Sequence, residues 1–294
     1  MICVGIDAGS RAIKIVLMDP ADLRVLGSGV AEQGVNGGER ATRLLEQVLA
    51  ASGAALEKIG CIVATGYGRN AIGIADATIT EITCHACGVH HLMPDVRTVI
   101  EIGGQDSKFL HLDPTGAVQD FAMNDRCAAG TGRFLEVLAD RLGVSIEDLG
   151  RMSERSTRPA AISSTCIVFA ETEIIGLLSS GTTPEDIVAG VQNSIATRVA
   201  TLAGRNAEAP VAFTGGVALV PGMKRALEAA IGRSVSVAPQ PQLTGALGAA
   251  ILACRRVSGD SSGRLDRGLD GSSRRDESAL RPCCGGTDRA AGSE

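Results

Sequence analysis

The chain carries an internal repeat with a constant offset of 94 residues. Asp7 and Glu101, Gly9 and Gly103, Lys14 and Lys108, and the pairs Asp19-Pro20 and Asp113-Pro114 all stand that far apart. In each copy an apolar run leads into a glycine turn. A second apolar run follows, Ile13 to Leu17 in one copy and Lys108 to Leu112 in the other. Asp-Pro then closes each copy with a turn signal. Each copy therefore reads as a β-hairpin with an acid-preceded, glycine-rich tip. A repeat of this length duplicates a supersecondary unit, so the chain is expected to build two similar lobes.

Helical spacing supplies the rest of an α/β protein. Helices are predicted over Ala41 to Ala51, Thr131 to Leu142, Val168 to Leu178, Ile187 to Leu202 and Met223 to Ala230. Further strands are predicted at Cys61 to Thr65, Val96 to Ile102, Val211 to Thr214 and Val235 to Ala238. From Arg255 onward the chain turns to Ser, Gly, Asp and Arg, and no apolar period survives. Residues 257–294 are read as a disordered tail.

Two such tips facing one another form a nucleotide clamp. Glycine amides approach phosphate closely. Asp7 and Asp106 are hard oxygen donors suited to Mg²⁺ through water. Lys14 and Lys108 supply point charges to phosphate oxygens. Only four lysines occur in the chain, and two fall in the paired tips. A third turn, Thr214-Gly215-Gly216, follows a strand and offers bare backbone to an adenosine. ATP is the expected ligand. No GxxxxGK[ST] motif occurs, and no GxGxxG follows a strand, so P-loop and dinucleotide sites are set aside.

Composition excludes other classes. The net charge is −5, from 28 basic and 33 acidic residues, and aromatic residues make up 2%. Nucleic-acid binding needs a basic excess or stacking platforms. No apolar run reaches the roughly 18 residues of a membrane span. Met1 to Ser10 lacks the basic start of a signal peptide, so a cytoplasmic protein is expected. Nine cysteines there are thiols, metal ligands or redox groups rather than a disulfide framework.

Cys127 and Cys166 each precede a helix pattern, where amides and dipole favour thiolate. Two thiolates are half of an iron–sulfur site. A two-fold dimer would complete it. On the residues alone, buried inert thiols are the favoured reading. Cys84-His85-Ala86-Cys87, with His90 and His91 behind, has the spacing of half a zinc site. No second CxxC completes it, so buried thiols and surface histidines are expected. Cys283-Cys284, in the tail, reads as an exposed pair.

Several segments taken together resemble a known family. They are Ala64-Thr65-Gly66-Tyr67-Gly68-Arg69-Asn70, Ile102-Gly103-Gly104-Gln105-Asp106-Ser107-Lys108, Met123 to Phe134 with its Asn-Asp-Arg-Cys-Ala-Ala-Gly-Thr-Gly core, Ser163-Ser164-Thr165-Cys166, and Thr214-Gly215-Gly216-Val217-Ala218. They are similar to the activators of 2-hydroxyacyl-CoA dehydratases, a family that includes ATPase subunits of benzoyl-CoA reductase. The resemblance covers about Ile2 to Ala253. It implies a duplicated actin-like (ribonuclease H-like) ATPase fold with a nucleotide cleft between two lobes. The first lobe would span residues 1–96, closed by a helix near 244–256, and the second 97–243.

The resemblance also implies a homodimer sharing one 4Fe-4S cluster held by Cys127 and Cys166 of each copy. Its implied activity is ATP-driven transfer of one electron, taken from a ferredoxin or flavodoxin and given to a dehydratase. Asp7 and Asp106 would hold Mg²⁺. Ser10, Lys14 and Lys108 would hold phosphates with the backbones of Gly9, Gly103 and Gly104. Gln105 would orient the attacking water, and Gly215 and Gly216 would face the adenosine. Cys87 falls where the resemblance leads one to expect no cysteine. Two other readings stay open: the electron-activating subunit of a benzoyl-CoA reductase, and a cluster-free actin-like kinase or scaffold.

Overall fold

A computed structural model of the chain describes residues 1–164, 166–203 and 207–259. The proposed tail from residue 260 onward, with Cys283 and Cys284, lies outside the described residues.

The first hairpin is β1 (Ile2–Ala8) and β2 (Ala12–Met18). A third strand, β3 (Val25–Glu32), extends it, and α1 (Gly37–Ser52), β4 (Ile59–Thr65) and the short β5 (Ala77–Thr78) follow. These strands form one sheet in the order β3-β2-β1-β4-β5. Next come α2 (Glu81–Leu92), β6 (Thr98–Ile102), β7 (Ser107–Leu112) and β8 (Val118–Asn124). Then α3 (Gly132–Leu142), α4 (Ile146–Glu154), α5 (Ile167–Ser179) and α6 (Pro184–Ala203) lead to β9 (Val211–Thr214). The chain continues through α7 (Met223–Ile231), β10 (Val235–Val237) and α8 (Thr244–Val257). The second sheet has the order β10-β9-β6-β7-β8.

The two sheets share one plan. In each, the hairpin strands pair antiparallel and the strand after the crossover joins parallel. The 94-residue offset survives at the level of single pairs: Asp7 lies opposite Lys14, and Glu101 opposite Lys108. The strands β3 and β8 were not expected from the sequence. Both are outer strands with polar or small residues, VLGSGVAE and VQDFAMN, and neither contains a buried residue. Their apolar alternation is correspondingly weak. The helix α4 also escaped the periodic reading, although Ser145 caps it by accepting from the Asp148 amide.

The core explains the order of layers. On one face of the first sheet, Leu44, Leu45 and Val48 of α1 pack on Ile6, Ile13 and Ile15. On its other face, Ala246, Ala250 and Ala253 of α8 meet Cys3, Val16 and Val63. The second sheet is covered by Phe134 and Leu138 of α3, Val191 and Ile195 of α6 and Leu227 of α7. Burying each of the valine, leucine, isoleucine and phenylalanine side chains among them stabilises by roughly 1.5–3 kcal/mol.

The helix α2 has two loyalties. Its Cys84 and Cys87 belong to the core around α8, while Ala86 and Val89 pack on Val99, Leu110 and Ala212 of the second sheet. Its approach to α8 is glycine-dependent. A side chain on Gly248 would fall on the Cys84 carbonyl, and one on Gly88 on the Thr244 carbonyl. The start of α2 is thereby held at the meeting of the two sheets.

Candidate nucleotide cleft and cysteine pair

The two hairpin tips close with the same hydrogen bond. Gly9 N–H donates to the Ala12 carbonyl at 3.0 Å, and Gly103 N–H to the Asp106 carbonyl at 2.9 Å. Between the tips lies a cavity of about 520 Å³. From the first tip it is lined by Asp7, Gly9, Ser10 and Lys14. The second tip contributes Gly103, Gly104, Gln105, Asp106 and Lys108, and the third turn Gly215 and Gly216. All the cleft residues picked from the sequence thus share one cavity.

The third turn has a partner that the sequence reading missed. Thr214 lies opposite Glu101, and Thr65 opposite Asp7. Each threonine is followed by a glycine in the left-handed region, Gly66 at φ 92° and Gly215 at φ 88°. A Cβ on either would fall on a backbone carbonyl of the adjacent tip strand. Both turns thus need glycine on two counts. Their unequal distances along the chain hid the correspondence.

The electrostatics of the tips differ. Lys14 Nζ donates to Asp7 Oδ2 at 3.1 Å. Burial lowers the lysine pKa, but Asp7 and Glu101 outweigh it and hold the ammonium above its ordinary value. Lys108 is 1% exposed and meets three carboxylates: Glu81 at 2.9 Å, Glu101 at 3.0 Å and Asp106 at 2.5 Å. An ammonium has three donors, so Lys108 can reach phosphate only by giving up a partner. Burial pushes it down, and the three acids push it well above the usual lysine value. Burial pushes Glu101 up to about 7, against the pull of Lys108.

Glu81 and His85 line the cleft from α2 and were not expected there. His85 is buried, at 6% exposed. Its Nδ1 lies 3.1 Å from Thr244 Oγ1, which lies 2.6 Å from Thr214 Oγ1. Burial and Lys108 push the imidazole down to about 4, so it stays neutral in this floor. The nearby carboxylates outnumber the lysines: Asp7, Glu81, Glu101 and Asp106 against Lys14 and Lys108. That excess suits a nucleotide arriving with a divalent cation. Among the described residues, no three His, Cys, Asp or Glu side chains are grouped to hold a metal by themselves.

The cysteines separate into two classes. Cys84 and Cys87 are buried, and burial pushes the Cys84 thiol up to about 12. Cys3, Cys61 and Cys254 are buried as well. Cys127 and Cys166 are exposed, which corrects the reading of them as inert core thiols. Cys127 directly precedes a single 3-10 turn, Ala128–Gly130, that runs into α3. Cys166 is the residue before α5. Val168 and Phe169, just beyond it, are 66% and 70% exposed. Two exposed thiols at helix starts, one of them followed closely by the exposed Val168 and Phe169, have the ligand chemistry of half of a Cys₄ cluster site, whose other half a second copy would supply.

Two lobes of this topology around an acid-lined cleft define an actin-like ATPase. The chain belongs to the BadF/BadG/BcrA/BcrD ATPase family, whose model matches residues 4–253. It is 46% identical over 255 residues to the activator of lactoyl-CoA dehydratase from Anaerotignum propionicum, covering 86% of this chain and 97% of that protein. The solved activator of 2-hydroxyisocaproyl-CoA dehydratase from Clostridium difficile, with bound ADPNP, superposes with a TM-score of 0.83 at 43% identity. That match covers 89% of this chain and 97% of the other. One of the subunits of benzoyl-CoA reductase from Thauera aromatica is 30% identical over 278 residues, covering 85% of this chain and 92% of that protein. No helix among the described residues is long and apolar enough to cross a membrane.

Proposed function

We propose that the chain is the ATP-dependent activator of a 2-hydroxyacyl-CoA dehydratase, working in the cytoplasm as a homodimer. The observation that carries the reading is the pairing of an ATPase cleft with Cys127 and Cys166, two exposed thiols at helix starts on one lobe. Those two cysteines of each copy would hold a 4Fe-4S cluster, which would supply one-electron transfer between a ferredoxin or flavodoxin and the dehydratase. The greater likeness to the free activator than to the reductase component, 46% against 30% identity, favours the dehydratase as partner. A cluster-free kinase would leave the exposed thiols of Cys127 and Cys166 without a purpose.

The protein's own groups bind and orient the nucleotide. Asp7 and Asp106 would hold Mg²⁺, and Ser10, Lys14 and the Gly104 amide hold phosphates, while the Gly9 and Gly103 amides keep the two tips closed. Gln105, exposed at the second tip, orients the attacking water. Lys108 keeps Glu81, Glu101 and Asp106 aligned on the cleft wall. Gly215 and Gly216 receive the adenosine. Binding energy from these contacts draws the lobes together, and the two conformations differ in their affinity for nucleotide and for the partner.

The test is anaerobic purification with iron, acid-labile sulfide and native mass measured together on wild type, Cys127→Ala and Cys166→Ala. About four iron and four sulfide per dimer, lost in both variants, is the expected result. An iron-free protein after anaerobic reconstitution would sink the electron-transfer reading and leave an actin-like ATPase of another kind.

A further inference from the structure

The geometry points to Thr131 as a positioning residue that couples the second phosphate tip to the Cys127 loop. The inference rests on the reading of Cys127 as a cluster ligand. The start of α3 is bonded directly to the tip. Gly132 N–H donates to the Gly103 carbonyl at 2.9 Å, and Arg133 N–H to the Gly104 carbonyl at 2.8 Å. Thr131, fully buried, sits between that pair of bonds and the cysteine loop. Its Oγ1 lies 2.8 Å from the Ala128 carbonyl, next to Cys127, and 3.2 Å from the Gly104 carbonyl. It also accepts from Arg133 N–H at 3.3 Å.

A hydroxyl carries one hydrogen. Thr131 therefore has one proton for two carbonyls, one in the phosphate tip and one in the loop that presents Cys127. Phosphate arriving at the Gly104 amide turns the peptide plane that carries the Gly103 carbonyl, and with it the adjoining plane that carries the Gly104 carbonyl. Shifting the proton toward Gly104 leaves the Ala128 carbonyl held by the Thr131 amide alone, at 3.1 Å, and shifting it back restores the second donor. The far side of the loop is anchored: Asn124 Oδ1 accepts from Cys127 N–H at 3.0 Å, and Asn124 Nδ2 donates to the Cys127 carbonyl at 2.8 Å. Movement is thus confined to the few residues between Asn124 and Thr131.

Cys166 is held differently. The carboxylate of Glu173, on α5, accepts from the amides of Ser163 and Ser164, both at 2.8 Å, and Arg198 of α6 donates to the Ser164 carbonyl at 2.9 Å. Its loop is tied to helices rather than to the tip. Nucleotide is expected to act on one cysteine of the pair and leave the other as a fixed reference.

Hydrogen exchange of the full chain, with and without MgADPNP, tests this on the peptide spanning residues 124–134. In wild type the nucleotide should change exchange there by roughly three-fold or more, with little change across residues 160–167. Thr131→Val, nearly isosteric and without the hydroxyl, should lose more than about half of that response while its affinity for ADPNP stays within about two-fold. Thr131→Ser should restore the response, which a purely structural role of the threonine methyl would not predict. An unchanged response in Thr131→Val overturns the proposal. So does a wild type whose 124–134 segment ignores the nucleotide, a result that needs no variant to fold. Iron content is measured on the same samples. A chain without iron that keeps the response retains the Thr131 coupling and loses only the cluster reading.

Discussion

The two tips begin from the same residues and end in different electrostatic settings. Asp7 and Lys14 form a simple pair whose lysine keeps 18% of its side chain exposed. Glu101 and Lys108 occupy the equivalent positions, but the lysine is sealed, and two further acids, Glu81 and Asp106, converge on it. The hairpin backbone is common to both, down to the hydrogen bond that closes each turn. What differs is the neighbourhood. The helix α2 delivers Glu81 to the second tip, and Asp106 stands where the first tip has Ala12. A duplicated scaffold has kept its geometry while one copy became the rigid acidic wall of the cleft.

The largest expected effect comes from removing the two lysines in turn. Lys108→Met leaves three carboxylates without their shared cation. Breaking a buried pair costs about 3–5 kcal/mol. At about 2–4 °C per kcal/mol for a chain of this size, the Tm should fall by ten degrees or so. Lys14→Met frees one carboxylate, Asp7, instead of three, and should lose less than half as much. Thermal unfolding of the two variants side by side decides the matter. Equal losses would mean that the two tips are energetically alike and that the convergence on Lys108 adds nothing.

A smaller effect sharpens the same contrast through pH. The Glu101 pKa in the folded protein, about 7, lies above its ordinary 4.5. A carboxyl shifted upward contributes most to stability below the lower value, and that contribution is lost as pH rises through the higher one. Glu101→Gln removes this titration. Relative to the variant, wild type should therefore lose stability between roughly pH 5 and 8, with little further change above. Unfolding midpoints measured across that range give the difference directly. A flat difference would show that Lys108 holds Glu101 ionised throughout, making the second tip as permanently charged as the first.

The hairpins were legible in the sequence because their physics is local. An acid, a glycine, a lysine and an Asp-Pro at fixed spacing determine the turn, the register and the face on which Asp7 and Glu101 stand. The comparison of Thr65-Gly66 with Thr214-Gly215 was not legible, since helices of unequal length separate each turn from its tip. Glu81 and His85 were hidden for a related reason. Their place in the cleft follows from α2 packing on both α8 and the second sheet, a tertiary fact with no local pattern. For the cysteines, helix-start positions were visible in the sequence, but exposure was not. Cys84 and Cys127 look alike as letters, and only packing makes one buried and the other exposed.

The smallest expected effect concerns the one position where the first tip reaches over the second. Arg11 occupies the place that Gln105 holds in the repeat, and its Nε donates to Glu136 of α3 at 2.8 Å. Its stem lies over Gly104, where a Cβ would strike it. Arg11→Gln makes the two tips alike at this position. The arginine side chain is 53% exposed, and Glu136 keeps a second partner in Arg133 at 2.9 Å. Exposed pairs are worth about 0.2–1 kcal/mol, so the Tm should drop by no more than about 2–4 °C. At roughly 1 M salt, where the screening length is about 3 Å, the drop should shrink toward nothing. A loss that persists at high salt would assign the stabilisation to the aliphatic stem covering Gly104. The tips would then be joined by packing, and closure of the cleft would have to break an apolar contact as well as an ion pair.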